Sequence, residues 1–129
     1  MNRLDFALAA ALLFVAPALA PAADCPVERS GDTISDAIEK APTCEAAQKV
    51  FDACAYVSSI DTQFGATVTE KCEKDFLAKL TPAQSKTYQS QKDACSKKYA
   101  NKEGTMYRSF EAMCISKLAV DYSKRFAGK

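Results

Sequence analysis

Six cysteines constrain this chain more than any other feature of its sequence. All of them follow an apolar N-terminal segment, and the 129-residue chain contains no histidine. An even number of cysteines behind an export signal is typical of a disulfide framework, whereas zinc sites usually place cysteines about two to four residues apart, often with histidine. The two closest cysteines here are ten positions apart, so we expect disulfides rather than a metal, a cofactor or a Cys-x-x-Cys redox site. The cysteines are Cys25, Cys44, Cys54, Cys72, Cys95 and Cys114.

Residues 1–23 have the layout of a secretory signal peptide. A positive charge, Arg3, lies near the terminus, and a long uncharged run rich in alanine and leucine follows. This run falls short of the ~20 strongly apolar residues that a membrane span needs. We expect the mature protein to begin between Pro21 and Asp24, to form one domain over residues 24–129 without a membrane span, and to be periplasmic or secreted. A lipid anchor on the first cysteine is less favoured, because the aspartate before it stands where lipoprotein processing requires a small neutral residue.

Apolar side chains recur at helical spacing along the rest of the chain, and no stretch alternates as a strand does. Helix starts are indicated by Thr43, by Thr105 and by residues 81–84, whose sequence TPAQ has the pattern of a capping box with proline at the first helical position. A shorter helix precedes Thr43, and Gly65 and Gly104 predict turns. We therefore predict an all-α fold: a small disulfide-stapled bundle of antiparallel helical hairpins, with four main helices plus a short one.

The same spacing predicts which side chains form the core, because residues three and four apart share one face of a helix. One predicted stripe follows Thr43, one follows Gly65 and one follows Thr105. The stripes consist of Ala47, Val50, Phe51, Cys54 and Val57; of Val68, Cys72, Phe76, Leu77 and Leu80; and of Met106, Phe110, Met113, Cys114 and Leu118.

The disulfide pairing is predicted from the two glycine turns. Cys95 and Cys114 lie on either side of Gly104, so two antiparallel helices would bring them to similar heights, within the ~7 Å between Cα atoms that a disulfide allows. Cys54 and Cys72 enclose Gly65 in the same way, and each first cysteine follows an Asp-Ala pair. We therefore predict Cys54–Cys72 and Cys95–Cys114, and by remainder Cys25–Cys44. Spacing alone leaves the other connectivities open.

The charge is unevenly distributed along the chain. Residues 24–81 contain six basic and eleven acidic side chains, whereas residues 82–129 contain ten basic and four acidic ones. We favour the interpretation that the two parts pack together and offset each other. The alternative is a basic face that meets an acidic partner.

Catalytic signatures are missing from the sequence. Without histidine most general-base mechanisms are excluded, and there is neither a Gly-x-Ser-x-Gly motif nor a phosphate-binding glycine-rich loop. We expect a non-catalytic exported binding or structural protein of the bacterial envelope, with a small envelope enzyme that uses neither histidine nor metal as the alternative. Nucleic acid is not expected as a partner, because the pI of about 7.5 is well below the value of ~9 typical of such proteins.

The segments LTPAQSKTYQSQKDAC, EGTMY and EAMCISKL resemble the C-terminal part of LprI-type lysozyme-inhibitor domains, which are exported, mostly helical bacterial domains. The resemblance covers residues 81–118. Its matching positions are Gln84, Lys92-Asp93, Cys95, Gly104-Thr105, Cys114 and Leu118. The chain departs from the family pattern by lacking its tryptophan, near which Tyr88 stands, by having Lys92 where arginine is usual, and by a different spacing of the N-terminal cysteine pair.

The resemblance implies a periplasmic or secreted protein that blocks a lysozyme, and it transfers no inhibitory residue. Lysozymes are commonly basic, so an inhibitor would use acidic side chains, whereas a polyanion-binding module would use the basic tip of the hairpin around Gly104. The candidate partner-binding residues are therefore, for a lysozyme, Asp32, Asp36, Glu39, Glu45 and Asp52, and for a polyanion, Lys97, Lys98, Lys102, Tyr107 and Arg108.

Overall fold

The structure is a computed structural model that describes residues 23–128, so the expected signal peptide, apart from Ala23, lies outside the described residues. This part of the chain forms five α-helices and contains no strand. The helices are α1 (Gly31–Lys40), α2 (Cys44–Cys54), α3 (Asp61–Phe76), α4 (Pro82–Tyr99) and α5 (Thr105–Phe126), with one 3-10 turn at Leu77–Lys79 after α3. The predicted all-α fold, with four main helices and a short one, is confirmed. None of these helices is long and apolar enough to cross a bilayer.

Local side-chain chemistry explains where the helices begin. The hydroxyl of Thr43 accepts a hydrogen bond from the backbone N–H of Ala46, and the hydroxyl of Thr81 accepts one from Gln84, whose side chain accepts from the Thr81 N–H in return. This reciprocal pair is the predicted capping box. The predicted cap at Thr105 is wrong by one residue. Gly104 precedes the helix with a φ of 109°, a left-handed conformation that favours glycine.

Two parallel helices, α3 and α5, form the centre of the bundle and share its largest interface. The Ser109 hydroxyl donates to Asp61 Oδ2 at 2.6 Å, and the Ser123 hydroxyl donates to Asp75 Oδ2 at 3.0 Å. Both pairs are separated by 48 residues, so the two helices run side by side in the same direction. Helix α4 lies between α3 and α5 in the sequence, runs antiparallel to both and packs on α5. Helices α1 and α2 pack on α3 from the other side.

Small side chains allow α3 and α5 to approach closely. A Cβ atom built on Gly65 would lie 2.8 Å from the Ala112 Cβ and 3.0 Å from the Ala112 carbonyl oxygen. Gly65 therefore lies inside α3, and the turn predicted there is wrong. The buried face of α5 is correspondingly small: it consists of Ser109, Ala112, Ser116, Ala119, Val120, Tyr122 and Ser123.

The core stripe predicted for α5 is consequently only partly confirmed, because Met113 and Leu118 pack against the core but the buried face of the helix consists of other residues. Met106 is 42% exposed, and Phe110, Met113, Cys114 and Leu118 are only half-buried. Helical periodicity favours the larger apolar side chains as core residues, whereas the close contact with Gly65 requires small side chains on the buried face of α5. Two further core predictions fail, because Val57 lies in the loop after α2 and Leu77 in the 3-10 turn, and both are exposed.

The remaining apolar residues form one continuous core between the helices. Ile34, Ile38, Phe51, Phe64, Val68 and Phe76 are fully buried. Near the end of α3 the core becomes aromatic, because the Phe76 ring lies 5.1 Å from Tyr88 and 5.6 Å from Tyr122, centre to centre. These contacts join α3, α4 and α5.

Three disulfides form: Cys25–Cys54, Cys44–Cys72 and Cys95–Cys114. The predicted Cys95–Cys114 bond is confirmed, and it joins α4 to α5 with its Cα atoms 5.8 Å apart. The predicted Cys25–Cys44 and Cys54–Cys72 pairs are wrong. Since the Cys25 sulfur is bonded to Cys54, it is not available for a lipid anchor.

The position of the bend between α2 and α3 explains the different pairing. Because α3 continues through Gly65, the chain turns at residues 55–60, directly after Cys54. Cys72 lies eleven residues beyond the start of α3 at Asp61. At 1.5 Å per residue this places it about 16 Å from the bend. Cys44, at the far end of α2, is level with it, and their Cα atoms are 4.8 Å apart.

Peptide mapping of the unreduced protein should therefore recover a disulfide-linked pair of peptides that joins Cys44, at the start of α2, to Cys72, near the end of α3. By loop-closure entropy each bond should contribute about 3–4 kcal/mol to the free energy of unfolding. The double variant Cys44→Ser/Cys72→Ser should lose roughly that amount in urea unfolding, about 3 kcal/mol. A recovered Cys54–Cys72 peptide would contradict a bend at residues 55–60.

Candidate binding surfaces

A groove of about 460 Å³ lies between α3, α4 and α5. Its floor is apolar and is made by Gly65, Ala66, Ala112 and Ile115. The groove exists because small residues form the α3–α5 contact beneath it, whereas longer charged side chains stand along its edges. These edge residues are Glu70 and Glu73 from α3, Lys92 from α4, and Arg108 and Glu111 from α5. Its volume lies in the range of about 300–1,000 Å³ that is usual for ligand pockets.

At one end of the groove Glu73 is held by two donors. Its Oε1 atom accepts hydrogen bonds of 2.8 Å from the Tyr88 hydroxyl and 2.8 Å from the Lys92 ammonium. Burial, together with the contact to Glu73, raises the pKa of the Tyr88 hydroxyl far above its ordinary value. Tyr88 therefore remains a neutral donor, and the pair Glu73–Lys92 closes this end of the groove.

At the other end of the groove the Arg108 guanidinium donates hydrogen bonds to two different acceptors. One guanidinium nitrogen donates to Glu111 Oε2 at 2.9 Å, and the other donates to the Tyr99 carbonyl oxygen at 2.6 Å. Arg108 thereby satisfies a carbonyl at the end of α4 and ties α4 to α5. It was expected at the exposed hairpin tip, but it lies half-buried at the groove with its charge already paired.

Glu70 differs from the other charged residues of the groove. Within residues 23–128 its carboxylate has neither a hydrogen bond nor an ion pair, and it is exposed. Glu70 also borders a second depression of about 290 Å³, which it shares with Glu39, Thr67, Lys71 and Lys74. With three carboxylates against two cations, the edge of the main groove carries an excess of negative charge.

The five acidic candidates do not form one cluster. Glu45 and Asp52 lie on α2 and face α5, where the Glu45 carboxylate lies 2.7 Å from the Lys124 ammonium and the Asp52 carboxylate 3.6 Å from that of Lys117. The contact with Lys124 lowers the pKa of Glu45. On α1, Asp36 pairs with Lys40 at 2.6 Å.

This leaves Asp32 and Glu39 as the acidic candidates whose carboxylates have no partner in the described part of the chain. Glu39 is the one that borders the second depression, and its carbonyl oxygen accepts a hydrogen bond of 2.9 Å from Lys71.

Ion pairs across the bundle agree with the favoured interpretation of the uneven charge. Glu45–Lys124, Asp52–Lys117 and Glu73–Lys92 each join an acidic residue before position 82 to a basic residue after it. The two parts of the chain therefore pack against each other and offset part of their charge.

The basic candidates lie where the hairpin of α4 and α5 turns. Lys97, Lys98 and Lys102 are exposed, and the Lys98 ammonium lies 5.3 Å from the centre of the Tyr99 ring. Tyr107 is half-buried. Its ring packs on Tyr99 and Phe110 at centre distances of 6.4 and 6.2 Å. We call Tyr99, Tyr107 and Phe110 the tip aromatic cluster, and it lies apart from the main core.

A buried carboxylate organises the loop between α2 and α3. Asp61 is completely buried and accepts hydrogen bonds from the backbone N–H groups of Tyr56, Val57 and Ser58 at 3.0, 2.8 and 3.4 Å. It also accepts the hydrogen bond from Ser109. Asp61 is not among the candidate residues that the sequence pattern indicates. An acidic residue directly before an apolar helical pattern was a signal for a helix start, although not for burial.

Among residues 23–128 there is no group of three or more His, Cys, Asp and Glu side chains that could hold a metal ion. No protein-family model matches the chain, no curated protein matches it, and no solved structure matches it.

Proposed function

We propose that this chain is an exported, non-catalytic binding protein of the bacterial envelope whose groove receives a basic segment of a protein partner. Export is supported by the signal-peptide layout and by three disulfides, which persist in oxidising compartments. The observation that carries the proposal is the unpaired Glu70 carboxylate beside an apolar-floored groove of about 460 Å³.

The groove suits a lysine or arginine side chain better than an acidic one. Its floor of Gly65, Ala66, Ala112 and Ile115 can cover the aliphatic stem of such a side chain, while Glu70 accepts its charged end. The other carboxylates at the groove, Glu73 and Glu111, already have basic partners. An incoming anion would meet the excess negative charge of the edge.

A basic protein surface would also meet acidic residues beside the groove. Glu39 and Glu70 border the same depression, so a basic partner at the groove can reach both carboxylates, although Lys71 and Lys74 offset negative charge there. Lysozymes are commonly basic, and the resemblance to lysozyme-inhibitor domains supports this class of partner. We therefore propose lysozyme inhibition as the specific form of the binding function.

Calorimetric titration of the oxidised protein with a basic lysozyme at low ionic strength tests this function. We expect Glu70→Lys to weaken binding at least tenfold, because it reverses the one unpaired charge of the groove. Asp121→Lys reverses the charge of an exposed carboxylate on α5 outside the groove and is the matched control, which should bind as the unmodified protein does.

Two results would contradict the proposal at different levels. Undiminished binding by Glu70→Lys would place the contact elsewhere on the protein. If the unmodified protein does not bind lysozyme but retains a basic peptide through Glu70, the groove is a site for another basic partner.

A further inference from the structure

One end of the bundle collects most of the exposed apolar side chains. Among residues 23–128 five large hydrophobic residues are exposed, and four of them lie at this end: Tyr56, Val57, Ile60 and Met106. The fifth, Leu77, follows α3 at the opposite end. Together with Lys97, Lys98 and Lys102 these four residues form what we call the end surface.

The parallel arrangement of α3 and α5 brings the parts of the end surface together. Asp61 at the start of α3 binds both the loop N–H groups and the Ser109 hydroxyl of α5. Met106 lies three residues before Ser109, on the same side of α5 and one turn nearer the end. The loop at residues 55–60 therefore lies beside the first turn of α5, which directly follows the basic hairpin tip.

The loop presents its apolar side chains in a strained conformation. Val57 has a φ of 55°, which is unfavourable for a β-branched residue, and its side chain is 45% exposed. Three hydrogen bonds from the loop to the Asp61 carboxylate maintain this conformation. Since Val57 does not enter the core, its own packing does not compensate for the strain. Strain of this kind clusters at functional sites.

Positive charge is concentrated on the α4–α5 side of the end surface. Residues 97–111 contain four basic and two acidic side chains, and one of the acidic ones, Glu111, is already paired with Arg108. On the α1 side Arg29 lies 5.9 Å from the Tyr56 ring centre, whereas Glu28 and Asp32 contribute negative charge there. The basic side is thus the one that faces an anionic partner.

We propose that the end surface binds peripherally to an anionic lipid bilayer. The exposed lysines would contact the headgroups, while Val57, Ile60 and Met106 would enter the boundary of the acyl chains. The half-buried tyrosines of the tip aromatic cluster have the apolar body and polar end that are typical of residues at a membrane interface.

The apolar residues favour a bilayer over a soluble polyanion. A nucleic acid or polysaccharide would use the lysines, but it would gain little from exposed aliphatic side chains. The rings of Tyr99, Tyr107 and Phe110 pack on one another, so they do not offer a free stacking platform for bases.

Co-flotation of the exported, oxidised protein with vesicles provides the test. We expect binding to phosphatidylcholine vesicles that contain phosphatidylglycerol, and none to phosphatidylcholine alone. Binding should fall at least tenfold in the triple variant Lys97→Gln/Lys98→Gln/Lys102→Gln, and likewise in Val57→Ser/Ile60→Ser/Met106→Ser. Circular dichroism and intact disulfides would verify that each variant is folded.

Matched controls distinguish binding through the end surface from binding through lysines or exposed apolar side chains elsewhere on the protein. Lys49→Gln/Lys74→Gln/Lys86→Gln removes the same charge from the sides of the bundle, and Leu77→Ser removes an exposed large apolar side chain at the opposite end. Both should bind vesicles as the unmodified protein does. The proposal is overturned if no vesicle binds, or if the control variants lose as much. It is also overturned if the lysine variant alone loses binding, which would indicate a polyanion-binding module.

Discussion

Replacement of Asp61 by alanine should lower the free energy of unfolding by about 3–5 kcal/mol, because it leaves several hydrogen-bond donors without an acceptor. The buried carboxylate accepts three backbone N–H groups of the α2–α3 loop and the Ser109 hydroxyl. Alanine would leave these donors without partners away from water, and each unsatisfied group costs about 1–3 kcal/mol. Urea unfolding followed by circular dichroism measures the loss.

Two further variants make the Asp61 experiment specific. Asp32→Ala removes an exposed carboxylate from the first turn of α1 and should change stability by less than about 1 kcal/mol. Ser109→Ala should cost less in the Asp61→Ala background than alone, because the hydroxyl has then already lost its acceptor. A loss below 1 kcal/mol for Asp61→Ala would show that water accepts hydrogen bonds from the loop N–H groups when the carboxylate is absent.

Gly65→Val should be destabilising by about 3 kcal/mol, at the upper end of what overpacking a core usually costs. The added Cβ would lie within 3.0 Å of both the Cβ and the carbonyl oxygen of Ala112. That oxygen belongs to the backbone of α5 and cannot rotate away, so the two central helices would have to separate. Thermal and urea unfolding both report the change.

Gly31→Val is the matched control for Gly65→Val. Its Cβ would meet the Ile60 Cδ1 atom at 3.0 Å, but that atom is the end of an exposed, flexible side chain. We expect a change below about 1 kcal/mol, as for substitutions at adaptable surface sites. Equal losses at both glycines would contradict the close approach of α3 and α5.

Local chemistry predicts much of this fold. The Thr81–Gln84 capping box lies where its sequence pattern places it, because both of its hydrogen bonds involve residues three apart. The Cys95–Cys114 bond is predictable for a similar reason, since the intervening turn at Gly104 requires a left-handed residue. In each case the determining interactions are confined to one short segment.

Features that depend on which helices pack together are not predictable in this way. A glycine such as Gly65 fits either a turn or a close helix contact, and only the neighbour Ala112, 47 residues later, distinguishes the two. A turn at Gly65 would place the bend between α2 and α3 too late in the chain. The predicted partners of the four N-terminal cysteines were wrong for this reason. The groove and the free carboxylate of Glu70 also arise only from the final packing of three helices.

The disulfide arrangement has a consequence for the order in which the six cysteines can be oxidised. The first two bonds lie wholly within residues 25–72 and the third within residues 95–114, so no disulfide joins the two parts. The C-terminal pair can therefore close correctly by itself. Within the first part, however, the two native bonds interleave, because Cys44 lies between Cys25 and Cys54 in the chain.

A chain that emerges into an oxidising compartment from its N-terminus exposes Cys25 and Cys44 before their native partners. Oxidation in order of appearance would join these two, and Cys54 to Cys72 next, which is the wrong pairing for this fold. After oxidation in that order, native pairing of the N-terminal part would require thiol–disulfide exchange with an isomerase or a reducing thiol, whereas the C-terminal hairpin would need only an oxidant.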